Sequence, residues 1–259
     1  MSKEKIKASV RDRYGRIAAE SSSDCGGAPG CCGDPALSVD SNRLGYSLEE
    51  LKSLPQGSDL NLGCGNPTAI ASLNPGEVVV DLGSGGGIDC FLAAKYVGDN
   101  GKVIGVDMTA GMLSKARENA EKGGYHNVEF RLGEIEHLPV GDNQADVIIS
   151  NCVINLSPSK QEVFNEMYRV LKSGGRVAVS DVVALQALPD ELKADTDLYV
   201  GCIGGALTVD ELISIMSQAG FTDINIDLKN ESREFIKDWA PGAGVENYVA
   251  SATIEARKP

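Results

Sequence analysis

A continuous apolar strand that runs straight into a cluster of glycines is the feature that most limits how this chain can fold. Val78-Val79-Val80-Asp81-Leu82 shows no polar alternation, and Gly83-Ser84-Gly85-Gly86-Gly87 follows at once. A strand of that kind is buried on both faces, as in a parallel sheet covered by helices. The residues beyond keep the same rhythm. The pattern predicts a helix over Ile88 to Val97, a strand over Val103 to Val106, and a helix from Thr109 to about Lys122. Strands follow over Val128 to Leu132 and Ala145 to Ser150, then a helix from Lys160 to Leu171 stopped by Gly174-Gly175, and a fifth strand over Arg176 to Val183. Alternating strands and helices imply right-handed βαβ units and an α/β fold with helices on both faces of the sheet.

The flanks read differently. Pro189 to Ala206 is expected to be helical and interrupted by glycines, Thr208 to cap a helix ended by Gly220, and Thr222 to Leu228 and Tyr248 to Ala256 to form a final antiparallel hairpin. Upstream, Ile6, Val10, Tyr14 and Ile17 recur at helical spacing within Lys3 to Glu20. Ser21 to Pro35 is expected to be a loop carrying Cys25, Cys31 and Cys32, and Ser47 with Glu50 forms a capping-box pattern. The expected division is an N-terminal helical and cysteine-containing extension over 1–75 and an α/β domain over 76–259, with an acceptor-site insert around 184–207.

Composition narrows the partners. Hydrophobic residues make up 42% of the chain, enough for a sizeable core. The formal net charge of −13 argues against nucleic acid, whose phosphates recruit basic surfaces. No apolar run has the length of a membrane span, and the first residues lack the apolar core of a secretory signal, so a cytoplasmic location is expected. Seven scattered cysteines then read as free, metal-binding or redox-active thiols rather than structural bridges. His126 and His137 fall in connecting segments without a partner at ligand spacing, and both are expected at the surface.

The glycine loop is not a dinucleotide fingerprint, because G-x-G-x-x-G would need a glycine where Ile88 stands. Asp81, just before the loop, would also repel a pyrophosphate, but it suits a ligand with an ammonium group and no phosphate. Asp107 ends the second strand, where an acid accepts both hydroxyls of a ribose. Gly133-Glu134-Ile135-Glu136, after the third strand, offers a carboxylate and backbone amides to an adenine edge. Met108 and Asn151 are the remaining expected contacts, beside Gly83 and Gly85. A plainer alternative has Asp81 and Asp107 merely ending strands and capping helices. Together these features resemble the class I methyltransferase pattern, which implies a Rossmann-like, seven-stranded, mostly parallel sheet and S-adenosylmethionine as cofactor.

The cysteines bear on the acceptor. Cys152 lies at the C-terminal end of the fourth strand, the edge where open parallel sheets bind ligands, and a soft thiol there suits a soft acceptor. Cys202 falls in the segment after the fifth strand, and Cys64 precedes the sheet. Cys90, inside the first helix of the sheet, reads as a small buried hydrophobe. The same reading is open for Cys152 and Cys202. A zinc site from Cys64, Cys152, Cys202 and one loop cysteine is disfavoured because the chain has no C-x-x-C pair.

Val10-Arg11-Asp12-Arg13-Tyr14-Gly15, Leu62-Gly63-Cys64-Gly65-Asn66-Pro67, Ser150-Asn151-Cys152-Val153-Ile154-Asn155-Leu156 and Gly201-Cys202-Ile203-Gly204-Gly205-Ala206 resemble the arsenite methyltransferases, as do Val106-Asp107-Met108-Thr109 and Leu132-Gly133-Glu134-Ile135-Glu136. The resemblance implies methyl transfer from S-adenosylmethionine to thiolate-bound trivalent arsenic, as part of arsenic detoxification. It implies arsenic ligands Cys64, Cys152 and Cys202. A fourth catalytic cysteine is either Cys31 or Cys32, with Cys32 preferred. Methylation formally oxidises arsenic, so a redox-active disulfide, reset by thioredoxin or glutathione as thiol reductant, is expected. Ligand thiols must ionise, so activity is expected to rise with pH. Leu62 departs from relatives that have Tyr there. Two other readings stay open: a methyltransferase for another small molecule with structural cysteines, and a non-catalytic metalloid scavenger or sensor.

Overall fold

The structure, a computed structural model, describes residues 2–20 and 40–259, with backbone alone for Glu20. Helix α1 (Lys3–Glu20) is followed among the described residues by two short helices, α2 (Leu48–Lys52) and α3 (Pro67–Ile70). Next come β1 (Val78–Leu82), α4 (Ile88–Val97), β2 (Lys102–Asp107), α5 (Ala110–Gly123), β3 (Val128–Leu132), β4 (Ala145–Asn151), α6 (Lys160–Val170) and β5 (Leu171–Ala184). The chain ends with α7 (Asp190–Ala194), α8 (Thr196–Val200), α9 (Val209–Ala219), β6 (Thr222–Lys229), α10 (Arg233–Ile236) and β7 (Val249–Arg257). The seven strands form one sheet in the order β3-β2-β1-β4-β5-β7-β6. Strands β1 to β5 run parallel, and β7 lies antiparallel between β5 and β6.

Strand alternation divides the apolar residues between two cores. Val79, Val103, Val147, Ile149 and Ala178 face α4 and α5, meeting Phe91, Val97, Leu113 and Ala116. Val80, Leu82, Ile104, Val106, Ile148 and Val179 face α6 and α9, meeting Phe164, Met167, Leu212 and Met216. This two-sided burial explains why the central strands lack the polar alternation of a half-exposed sheet. Helix α9 begins where Thr208 and Glu211 form a reciprocal capping box, and Gly220 ends it in a left-handed conformation. The capping box at Ser47 and Glu50 is likewise formed. No helix among the described residues is long and apolar enough to cross a membrane.

Two expectations change. The glycines at 174 and 175 do not stop a helix, because α6 ends at Val170 and Leu171 already pairs with Ala145. The register then jumps to Val147 opposite Arg176, so the glycines sit in a bulge that absorbs the extra residues of β5. The segment after Pro189 breaks into α7 and α8 at Asp195, whose carboxylate accepts the amides of Asp197 and Leu198 and so starts a new helix. β6 and β7 are the expected antiparallel neighbours, joined by a connection that contains α10.

Candidate active site

The parallel strands end together along one edge, and a cleft there encloses about 1080 Å³ of space, partly open to solvent. Its floor is the glycine turn after β1. Gly83 adopts φ 72°, and an added Cβ would stand 2.4 Å from Val153 Cγ2, so only glycine fits. The amides of Gly83 and Ser84 donate to Val106 O at 2.7 and 3.1 Å, and Gly85 N donates to Asp107 Oδ2 at 3.0 Å. Asp107 Oδ1 also accepts from Thr109 N at 2.8 Å. Burial raises the Asp107 carboxyl, and the hydrogen bonds from Thr109 and Gly85 oppose that effect.

Asp81 is buried at the base of the cleft beside a second acid, Asp89, from the first turn of α4. Burial lifts the Asp81 carboxyl well above its ordinary range, and the nearby Asp89 charge adds to it. Burial likewise lifts Asp89 to about 6, although hydrogen bonds from Tyr46 and Asn151 favour its ionised form. Two buried acids in one cleft create a demand for positive charge. The Ser84 hydroxyl, buried in the same loop, has no hydrogen-bond partner among the described residues. Met108, Ile135 and Glu136 also line the cleft. The cleft therefore fits a phosphate-free, cationic ligand with additional polar groups.

Helix α1 forms part of the wall through Lys7, Val10 and Tyr14. Lys7 Nζ lies 2.7 Å from Glu134 and 3.3 Å from Glu136, and Arg11 lies 3.0 Å from Glu134. Burial opposes the Lys7 charge, but the two glutamates outweigh it and hold the ammonium above its usual range. Glu134 thus differs from the sequence expectation: α1 takes its carboxylate, and Gly133, Ile135 and Glu136 line the cleft instead. Asn151 lines the cleft, yet its amide donates to Gly65 O at 2.8 Å and Tyr46 Oη at 2.9 Å.

The thiols lie at the inner end. Cys64, Cys152 and Cys202 are all buried and share one apolar cluster with Val10, Leu156 and Ile203. Cys152 is itself in the cleft wall. The Cys64 and Cys152 sulfurs and a carboxylate oxygen of Asp181 lie within 4.8 Å of one another. Cys202 Sγ donates to Cys152 O at 2.8 Å. Cys152 and Cys202 both hold left-handed backbone, φ 59° and 64°, which costs a non-glycine residue about 1–2 kcal/mol. Fixed surroundings impose that geometry. Asn155 Nδ2 donates to Asp181 Oδ1, Val182 O and Cys202 O at 2.9, 2.6 and 3.1 Å.

Burial pushes the Cys64 thiol up to about 11 and the Cys152 thiol well above its ordinary range. Cys202 is raised as well, first by the hydrogen bond it shares with Cys152 and then by burial. Asp181, raised to about 6 by burial, accepts backbone amides from Ile154, Asn155 and Val182. Cys90 is fully buried, as expected, and its thiol donates to Asp81 Oδ2 at 3.2 Å. His126 and His137 are exposed. Cys25, Cys31 and Cys32, and with them the preferred fourth cysteine, lie outside the described residues.

Sequence reasoning missed Asp89, Asp181, Tyr46 and Lys7. Asp89 follows Gly87 at a helix start, where an acid reads as an ordinary favourable charge. The others carry no motif signal.

Residues 73–220 match the family model described as "Methyltransferase domain". The chain is 53% identical, over 263 aligned residues, to an arsenite methyltransferase of Halobacterium salinarum, covering 99% of this chain and 67% of that one. It is 42% identical over 224 residues to an arsenite methyltransferase of Aquipseudomonas alcaligenes, covering 83% of this chain and 62% of the relative. The chain thus spans about two thirds of the length of these curated relatives. Among solved structures, an arsenic(III) S-adenosylmethionine methyltransferase from Chlamydomonas reinhardtii superimposes with a TM-score of 0.61 at 34% identity, covering 88% of this chain and 74% of that one.

Proposed function

The chain belongs to the arsenite methyltransferase family, with the class I methyltransferase fold, and from that premise we propose that Cys64, Cys152 and Cys202 hold trivalent arsenic while Asp81, Gly83, Gly85 and Asp107 hold S-adenosylmethionine. One observation carries this reading: the cleft with the buried acids and the glycine turn has Cys152 in its wall, the Cys64 sulfur lies within 4.8 Å of the Cys152 sulfur, and the Cys202 thiol donates to the Cys152 carbonyl. Donor and acceptor sites are thereby held in one enclosure, which removes most of the entropic barrier to their meeting.

Three thiols suit arsenic(III) because sulfur is the soft ligand it prefers. Burial keeps the apo thiols protonated, so ligation by arsenous acid is a condensation. Each S–H proton leaves with an arsenic-bound hydroxide as water, and an As–S bond replaces the As–O bond. The expected rise of activity with pH is then weakened, since no net proton is released. A pyramidal tris-thiolate leaves the arsenic lone pair free and carries no proton to be removed, so no general base is required. The buried Asp81 and Asp89 carboxylates hold the cofactor's positive charge, and Asp107 holds its ribose. When bound, S-adenosylmethionine supplies an electrophilic methyl group to that lone pair. Apolar walls from Val10, Met108, Leu156 and Ile135 exclude water from the junction.

Methylation raises arsenic formally by two electrons. We assign their return to Cys64 together with Cys31 or Cys32, which would close a disulfide, while Cys152 and Cys202 retain the metalloid. A thiol reductant such as thioredoxin or glutathione reopens that disulfide by exchange. The biological role consistent with this chemistry is arsenic detoxification.

The test incubates the full chain with arsenite, S-adenosylmethionine and a thiol, then separates arsenic species by chromatography with elemental detection. Replacing Cys152 or Cys202 by Ser is expected to abolish methylated products while cofactor binding persists. Full activity in either variant refutes the ligand assignment.

A further inference from the structure

Cys64 sits in a loop, whereas Cys152 directly follows strand β4, so some contact has to register one thiol against the other. Cys64 is flanked by two glycines, and both are closely approached. A Cβ at Gly63 would stand 2.6 Å from Asn151 Nδ2, and one at Gly65 would stand 2.8 Å from Ser180 Oγ. The bare backbone lets the loop lie directly on Asn151, the residue before Cys152. Asn151 Oδ1 accepts the Cys64 amide at 3.0 Å, and its Nδ2 donates to Gly65 O at 2.8 Å. One side chain therefore brackets Cys64 on both sides of its peptide unit.

The clamp is itself anchored. Asn151 Nδ2 also donates to Tyr46 Oη at 2.9 Å and approaches Asp89 Oδ2 at 3.4 Å, while Tyr46 donates to Asp89 Oδ1 at 2.8 Å. A primary amide has two N–H donors, and both already have partners in the protein. None is left for a cofactor, although Asn151 lines the cleft and is an expected cofactor contact.

We infer that Asn151 is a positioning residue for the arsenic site: it clamps Cys64 opposite Cys152 and makes no direct hydrogen bond to the cofactor through its amide donors. The inference rests on Cys64 being an arsenic ligand. Chelation by three thiols depends on their pre-set spacing, since ordering a free loop on binding subtracts from affinity. Releasing Cys64 converts a preorganised three-thiol site into two fixed thiols and one tethered one.

The experiment titrates arsenite and, separately, S-adenosylmethionine into the full-length wild type, Asn151→Ala and Cys64→Ser, with circular dichroism confirming the fold. It also measures the alkylation rate of Cys64 by mass spectrometry. Asn151→Ala is expected to weaken arsenite binding at least tenfold, approaching Cys64→Ser. Its cofactor affinity should stay within twofold, and Cys64 should alkylate at least tenfold faster. A tenfold loss of cofactor affinity in Asn151→Ala with arsenite binding intact overturns the inference, as does unchanged alkylation of Cys64. Wild-type arsenite affinity in Cys64→Ser instead defeats the ligand assignment, and the alkylation rate still judges the clamp. Should Asn151→Ala fail to fold, Gly63→Ala presses on the same contact from the loop side. Faster alkylation of Cys64 is expected there, and an unchanged rate overturns the clamp.

Discussion

Replacing Asp89 by Asn should make the cofactor-free protein more stable and at the same time a poorer enzyme. Asp89 is buried beside Asp81, and its carboxyl is raised from the ordinary aspartate range to about 6. A shift of about two units corresponds to about 3 kcal/mol of destabilisation when the group is ionised. Because the folded-state value lies above the unfolded one, this penalty is fully present above pH 6. It disappears as pH falls towards the unfolded value near 4. Asparagine keeps an oxygen to accept the Tyr46 hydroxyl, now 2.8 Å from Asp89 Oδ1, but loses the weak acceptor for Asn151 at 3.4 Å. That loss is worth about 1 kcal/mol. The net gain is then about 2 kcal/mol at pH 8 and falls to about 0.5 kcal/mol at pH 5. Urea unfolding of both proteins without cofactor, at those two pH values, measures it. Calorimetric titration should show S-adenosylmethionine binding the variant at least tenfold more weakly, since a counter-charge has been removed. If Asp89→Asn is less stable than wild type at pH 8, or its advantage does not depend on pH, the acid pair is not the charge reservoir described above.

Other perturbations probe the walls of the cleft. Gly83→Ala forces a Cβ to within 2.4 Å of Val153 at φ 72° and should cost about 2 kcal/mol or more, with cofactor binding lost; near-wild-type thermal stability would contradict the packing. Lys7→Ala removes the cation from Glu136, which is only 4% exposed, and should destabilise the protein by about 1–3 kcal/mol, measured by denaturant unfolding. The same change frees α1 from the cleft wall, so the KM for S-adenosylmethionine should rise several-fold; an unaltered KM would mean that the helix contributes nothing to cofactor retention.

Much of the fold is legible in local chemistry. The bounds of β1 and α4 follow directly from apolar runs and the glycines beside them, and the capping boxes at Ser47 and Thr208 mark helix starts. These signals are local because a helix or strand depends on its own backbone and nearest side chains. The Gly174-Gly175 pair shows where locality fails. Glycines stop helices and also fill bulges, and only the pairing of Leu171 with Ala145 chooses between them.

The candidate site divides the same way. Asp81, the glycine turn and Asp107 announce themselves because their meaning lies in a short segment. Glu134 and Asn151 are expected at the cofactor, yet Lys7 and Arg11 pair with the Glu134 carboxylate and the Cys64 loop hydrogen-bonds the Asn151 amide. Asp89 and Asp181 had no signal at all, since what distinguishes a buried acid is the absence of water around it. By itself, then, the sequence determined the alternating α/β frame, the cofactor turn and the presence of thiols in segments resembling the arsenite methyltransferases. Tertiary structure alone decided that Cys64, Cys152 and Cys202 meet, that burial raises their thiols, and that α1 closes one wall. The physical reason is that hydrogen-bond partners and desolvation are set by neighbours in space, which here come from distant parts of the chain.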